Sequence, residues 1–144
     1  MAKQAMVEWR EGMHFEGTSM GHSIQLDSRP PRGTDLGMSP MALVLVALGG
    51  CTGIDVIDFL AKGRQTVTGL RIEVTGDQAP DTPAVYTHIR IAYYVRGSGL
   101  VKETVERAVR LSEEKYCSVG IMLGKTARIE TVVEIEAERE NDIP

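Results

Sequence analysis

Ser39-Pro40-Met41-Ala42-Leu43-Val44-Leu45-Val46-Ala47-Leu48-Gly49-Gly50-Cys51-Thr52-Gly53 is the stretch whose reading decides the fold. Serine is a good helix N-cap, and proline at the first helical position gives up no hydrogen bond the helix needs. The spacing predicts a helix from Pro40 to about Lys62, stopped at Gly63. Its first half is apolar on every side, which predicts a buried helix. Gly49, Gly50 and Gly53 each lower helix propensity by about 1 kcal/mol against alanine. Three such losses in one helix imply close approach of another backbone, and a helix–helix contact would explain all three.

On either side of this helix the pattern has period two. Residues 4–9 and 13–18 read as strands joined by a turn at Arg10-Glu11-Gly12, and residues 22–27 as a third strand. A Pro- and Gly-rich loop, 28–37, leads into the helix. Beyond it, residues 67–76 and 84–96 read as long strands, with Ile89, Ile91, Tyr93 and Val95 on one buried face. Residues 100–115 have the spacing of an amphipathic helix, a short helix is expected from Cys117 to about Lys125, and residues 127–138 alternate as a last strand. Residues 139–144 are expected to be a frayed tail. This order predicts one α+β domain over residues 1–144 rather than a doubly wound sheet.

The bulk composition bounds the function. The chain has 144 residues, 42% of them hydrophobic and 25% charged, within the globular range. Sixteen Lys and Arg against twenty Asp and Glu give a net charge of −4, which argues against nucleic acid as a partner. The N-terminus has no signal-peptide pattern, and the apolar run Met41 to Leu48 is too short to span a bilayer, so a cytoplasmic protein without a membrane partner is expected. There is no G-x-G-x-x-G, P-loop or H-E-x-x-H motif, and no cofactor or metal is expected.

Chemistry rests on the only two cysteines, Cys51 and Cys117. Cys51 shares a helix face with Asp55, Asp58 and Lys62. It reads either as a small core hydrophobe or as a thiol on a polar stripe. Asp55, one turn on, would disfavour its thiolate, so activation needs a cation from elsewhere. Cys117 falls where one helix ends and another begins, and the positive end of a helix dipole would lower its pKa. Lys115 and Lys125 are near it in sequence, and simple burial is the other reading. His14, His22 and His88 lie on strands at spacings that suggest neither a metal site nor a nucleophile pair.

Two segments carry a resemblance. Ser39-Pro40 and the apolar helix into Gly49-Gly50-Cys51-Thr52-Gly53-Ile54-Asp55-Val56, followed by Ser112-Glu113-Glu114-Lys115-Tyr116-Cys117-Ser118-Val119, resemble the OsmC family, which includes the organic hydroperoxide resistance proteins. The likeness implies antiparallel sheets wrapped around long central helices in an intertwined homodimer with shared active sites. It implies Cys51 as the peroxidatic thiol, Cys117 as the resolving thiol, an organic hydroperoxide as substrate and a dithiol as reductant. Family peroxidases carry a Glu directly after the helix-opening Pro, paired with an Arg; here that position is Met41. Arg10 in the first turn, or Arg29 or Arg32 in the following loop, would have to supply the charge. Where those peroxidases carry a His three positions before the second cysteine, this chain has Glu114. The alternative within the same fold is a protein that binds a small apolar or thiol-reactive ligand in the interface groove.

Overall fold

The computed structural model describes residues 2–138; the expected frayed tail at 139–144 lies outside the described residues. The chain divides into two compact units, residues 1–44 and 45–144.

The first unit holds an antiparallel sheet in the order β1-β2-β3: β1 Met6–Glu11, β2 His14–Ser19 and β3 His22–Leu26. The first hairpin turns at Gly12, whose φ of +54° is the left-handed conformation glycine adopts without a Cβ penalty. Arg10 is therefore not a turn residue as expected. It sits in β1 at a register shift between Trp9 and Glu11, and it pairs with Glu16 at 3.0 Å. The loop after β3 is organised by buried Asp27, whose carboxylate accepts from Ser28 N, Thr34 Oγ1 and Leu36 N. Burial works to raise this carboxyl's pKa, but the donors outweigh it and hold the group below its usual range.

Helix α1 spans Pro40–Lys62. Ser39 Oγ accepts from Ala42 N at 3.1 Å, the expected cap. The helix ends where the sequence places it, but the left-handed residue comes one position after Gly63. Arg64, not Gly63, takes the left-handed conformation (φ +58°), while Gln65 N bonds Leu60 O and Arg64 N bonds Ala61 O. These two bonds satisfy the last carbonyls in the Schellman manner.

The second unit is built on a mixed sheet, β4-β5-β6: β4 Thr66–Gln78, β5 Tyr86–Ser98 and β6 Arg128–Glu136. β4 pairs antiparallel with β5, but β6 pairs parallel to it, so the expectation of antiparallel sheets holds for only part of the molecule. A parallel neighbour needs a long crossover. Helix α2 (Lys102–Leu111), a π-helical turn (Ser112–Tyr116) and helix α3 (Ser118–Leu123) supply it. The core is the predicted face of β5, Ile89, Ile91, Tyr93 and Val95, against Val105, Ala108 and Val109 of α2 and Leu48, Val56 and Leu60 of α1.

Helix α1 is not buried all round. Leu48, Thr52, Val56 and Leu60 form its buried face at i, i+4 spacing. On the other side Val46 is 55% and Ile54 75% exposed, with Ile57 also open. Nor do the three glycines share one cause. A Cβ on Gly49 or Gly53 would meet Val74 at 3.3 Å or Ile72 at 3.1 Å, so these two serve contact with strand β4, whereas Gly50 faces open space. The helix is longer than the apolar run of eight, Met41 to Leu48, at its start. An 18-residue window of it has a mean hydropathy of 1.9, enough by length and composition alone to cross a membrane. A core helix has the same composition, and the core contacts of its buried face are of that kind.

Candidate active site

The two cysteines come together. Cys51, in the middle of α1, is partly accessible; Cys117 is 1% exposed; both thiols are free, and Cys51 lies near enough to Cys117 to raise its pKa. The π-helical turn delivers Cys117. Its N–H reaches back five residues to Ser112 O at 2.7 Å, widening the last turn of the α2 helix. Such single π turns insert one extra residue and occur often at functional sites.

Cys117 is the N-cap of α3, as its position predicts, and Gly120 N–H donates to its sulfur at 3.3 Å. The expected drop in pKa does not follow. Burial pushes the Cys117 thiol up to about 12; the Gly120 bond opposes this, and the nearby Cys51 and the charge of Asp55 add to the rise. A six-residue helix has one N–H aimed at the sulfur here, which is too little against full desolvation. Lys115 lies over the Tyr116 ring, 5.3 Å from its centroid, rather than beside the thiol.

The polar stripe on α1 splits. Asp58 pairs with Lys62 at 2.8 Å in solvent, while Asp55 turns inward and accepts from Ser112 Oγ at 2.9 Å. Ser112 in turn meets Thr52, and Thr52 meets Tyr93, each at 2.8 Å. All three hydroxyls are buried.

A cleft of about 590 Å³ opens beside this group. Its apolar wall includes Leu48, Ile91 and Val133, and Cys117 and Thr52 reach it, while its charged residues are Glu106, Arg110, Glu113 and Glu114. Glu113 is half-buried, and Thr131 Oγ1 lies 2.7 and 2.8 Å from its two oxygens. Burial, then the neighbouring Glu114, raise the Glu113 carboxyl, against the bond from Thr131. The sequence reading missed Glu113 and Arg110. A signal for Glu113 exists: it continues the apolar series Val105, Val109 at i+4 spacing, so it falls on the core face of its helix.

Arg10, Arg29 and Arg32 belong to the first unit, and Cys51 and Cys117 to the second. His14 bonds Gln25, and His88 lies within reach of Asp77 and Glu130. Among the described residues, no group of three or more His, Cys, Asp or Glu side chains is placed to hold a metal ion.

A capped apolar helix that presents one cysteine to a second at the head of a short helix defines a class of two-thiol α+β proteins. The chain belongs to the OsmC-like proteins, whose family model matches residues 33–132. It is 43% identical over 135 residues to Protein YhfA of Escherichia coli (strain K12), covering 93% of this chain and 98% of that one. A crystal structure of a hypothetical protein from Aquifex aeolicus VF5 superposes with a TM-score of 0.86 at 30% identity, over 96% of this chain and 99% of that one. An organic hydroperoxide resistance protein from Elizabethkingia anophelis shares the fold, with a TM-score of 0.70 at 8% identity, over 94% and 97% of the two chains.

Proposed function

We propose that the protein is a thiol-dependent peroxidase of organic hydroperoxides, acting as a homodimer and recycled by a dithiol. The observation that carries this reading is the pair of free, neighbouring thiols with unequal surroundings. Cys51 has the access an attacking thiol needs, and Cys117 has the burial that keeps a waiting thiol protonated. The Cys51 thiolate attacks the outer peroxide oxygen; the O–O bond breaks, the alkoxide leaves and takes a proton, and Cys51 becomes a sulfenic acid. Cys117 then attacks that sulfur, forming a disulfide and releasing water. An external dithiol restores both thiols by exchange.

The homodimer is supported by the open apolar face of α1, where Val46, Gly50, Ile54 and Ile57 stand one helical turn apart. A face of this kind fits a second copy of the same helix, with Gly50 at the point of closest approach.

The test is consumption of an alkyl hydroperoxide in the presence of a dithiol. Turnover that disappears in Cys51→Ser supports the reading, and no turnover by the wild-type chain removes it. One observation favours a second reading, a binding protein for a small apolar or thiol-reactive ligand: the cleft touches Cys117 rather than Cys51. Such a ligand would stabilise the fold in Cys51→Ser as well as in the wild type.

A further inference from the structure

Every polar group of Ser112 is engaged, and its partners lie on both sides of the thiol pair. Its N–H is bonded within α2, to Ala108 O and Val109 O. Its carbonyl accepts from Cys117 N at 2.7 Å. Its hydroxyl donates to Asp55 Oδ2 at 2.9 Å and lies 2.8 Å from Thr52 Oγ1. Thr52 is the neighbour of Cys51 in α1, and Asp55 stands one helical turn beyond Cys51. One serine thus joins the turn of α1 that carries Cys51 to the backbone of Cys117.

The hydrogens give these bonds a direction. Tyr93–Thr52, Thr52–Ser112 and Ser112–Asp55 are three links, and the three hydroxyls supply one hydrogen each. Ser112 gives its hydrogen to Asp55, so it accepts from Thr52, and Thr52 accepts from Tyr93. Ser112 and Thr52 are fully buried, so neither can exchange a lost bond for one to water. An apolar contact also joins α1 to the π turn: the rings of Phe59 and Tyr116 meet edge-on with centroids 5.3 Å apart. Apolar contact is non-directional and tolerates sliding, whereas a hydrogen bond weakens steeply when its angle is lost. The ring pair therefore holds the two elements together, and Ser112 sets their register. Gly120 N–H adds the last constraint by donating to the Cys117 sulfur at 3.3 Å.

We propose that Ser112 is a positioning residue for the Cys51–Cys117 pair: its hydroxyl, bonded to Thr52 and Asp55, and its carbonyl, bonded to Cys117 N–H, keep the two thiols in register for disulfide formation. This role rests on the thiol-pair reading given above, but it does not need the oxidant to be a hydroperoxide. Holding two reacting groups in place raises the effective concentration of one for the other. The serine should therefore act on closure of the pair and not on the attack by either thiol alone. The closing step is the same for any oxidant. The Cys117 thiol gives its proton to solvent and its sulfur attacks the oxidised Cys51 sulfur. The S–S bond forms, and the group on Cys51 leaves with the electron pair of the broken bond. Over both steps the thiol pair loses two electrons and the oxidant gains them.

The experiment mixes the reduced full-length chain with an aromatic disulfide and times the two releases of aryl thiolate. The first release reports attack by one cysteine, and the second reports closure of the pair. In Ser112→Ala the ratio of the second rate to the first should fall about tenfold or more, within the roughly hundredfold loss that a displacement of about 1 Å can cause. Asp55→Ala takes away the acceptor and should slow closure as well. Asp55→Asn, which keeps an oxygen at that place, should recover most of the rate. Denaturant unfolding of the reduced variants separates positioning from support of the fold. A serine that served only the fold would lower stability and leave the ratio at its wild-type value, and that result would overturn the role given to it. If Ser112→Ala does not fold, Thr52→Val takes one of the two bonds from the Ser112 hydroxyl; it should lower the ratio too, and an unchanged ratio would be equally fatal. The aromatic disulfide keeps the two ideas separate. A chain whose closure slows in Ser112→Ala but which ignores alkyl hydroperoxide would lose the peroxidase reading and keep the role of Ser112. A chain that consumes alkyl hydroperoxide and closes equally fast in Ser112→Ala would keep the first and lose the second. A wild-type chain with no second release would lose both.

Discussion

The two faces of helix α1 are made from nearly the same apolar vocabulary and end in different places. One face, Leu48, Thr52, Val56 and Leu60, is buried in the core of the second unit. The other, Val46, Gly50, Ile54 and Ile57, is open. Composition does not separate them; what does is that the Thr52 face packs on strand β5 while the other is left uncovered. Cys51 stands between the two, with enough access to react and a buried partner nearby. The difference teaches that a helix whose first half is apolar on every side need not be buried on every side: one face is in the core, and the other is uncovered in the single chain.

The largest effect expected from breaking this contrast is at Leu60, which is fully buried. Leu60→Ala should destabilise the fold by about 2–5 kcal/mol, measured by denaturant unfolding. The equivalent change on the open face, Ile54→Ala, should cost about 0.5 kcal/mol or less in a single chain. Ile54→Asp goes further and sharpens the contrast: it should turn a dimer into a folded monomer in sedimentation experiments. A wild-type chain that is monomeric at every concentration would contradict the role given to the open face.

The two thiols should differ in the same way. An alkylating reagent at mildly alkaline pH should modify Cys51 well before Cys117, as read by peptide mass. The sign for Cys117 follows from its raised pKa. Folding favours the protonated thiol, so its contribution is fully present below the range of a free thiol and is lost as pH rises from there toward about 12. The fall in stability across that alkaline window should be smaller in Cys117→Ala. A further effect is purely local: Ser39→Ala removes the bond from Ala42 N and should cost about 1 kcal/mol.

What could be seen in the sequence follows the range of the forces involved. The Ser39 cap, the buried face of β5 and the helix start at Ser118 are set by neighbours within a few residues, and they stand where periodicity puts them. Arg10 was misplaced because a register shift in β1 moves the turn to Gly12, and alternation over six residues cannot detect that. The parallel pairing of β6 is a property of the crossover, not of its own residues. Local pattern gave Cys117 a helix N-terminus but not its burial, and burial decides its pKa. Glu113 was hidden for a related reason. Next to Glu114 it looks like part of a solvated charge run, and only the phase it shares with Val105 and Val109, followed by the π turn, reveals its inward position. The approach of Cys51 to Cys117 spans 66 positions, and only the resemblance to a family anticipated it.

The most direct test of the account is a free-thiol titration of the reduced chain after a stoichiometric alkyl hydroperoxide. The account predicts loss of both thiols together, one intramolecular disulfide per chain, and no disulfide in Cys51→Ser. Two thiols left untouched by excess hydroperoxide would contradict it.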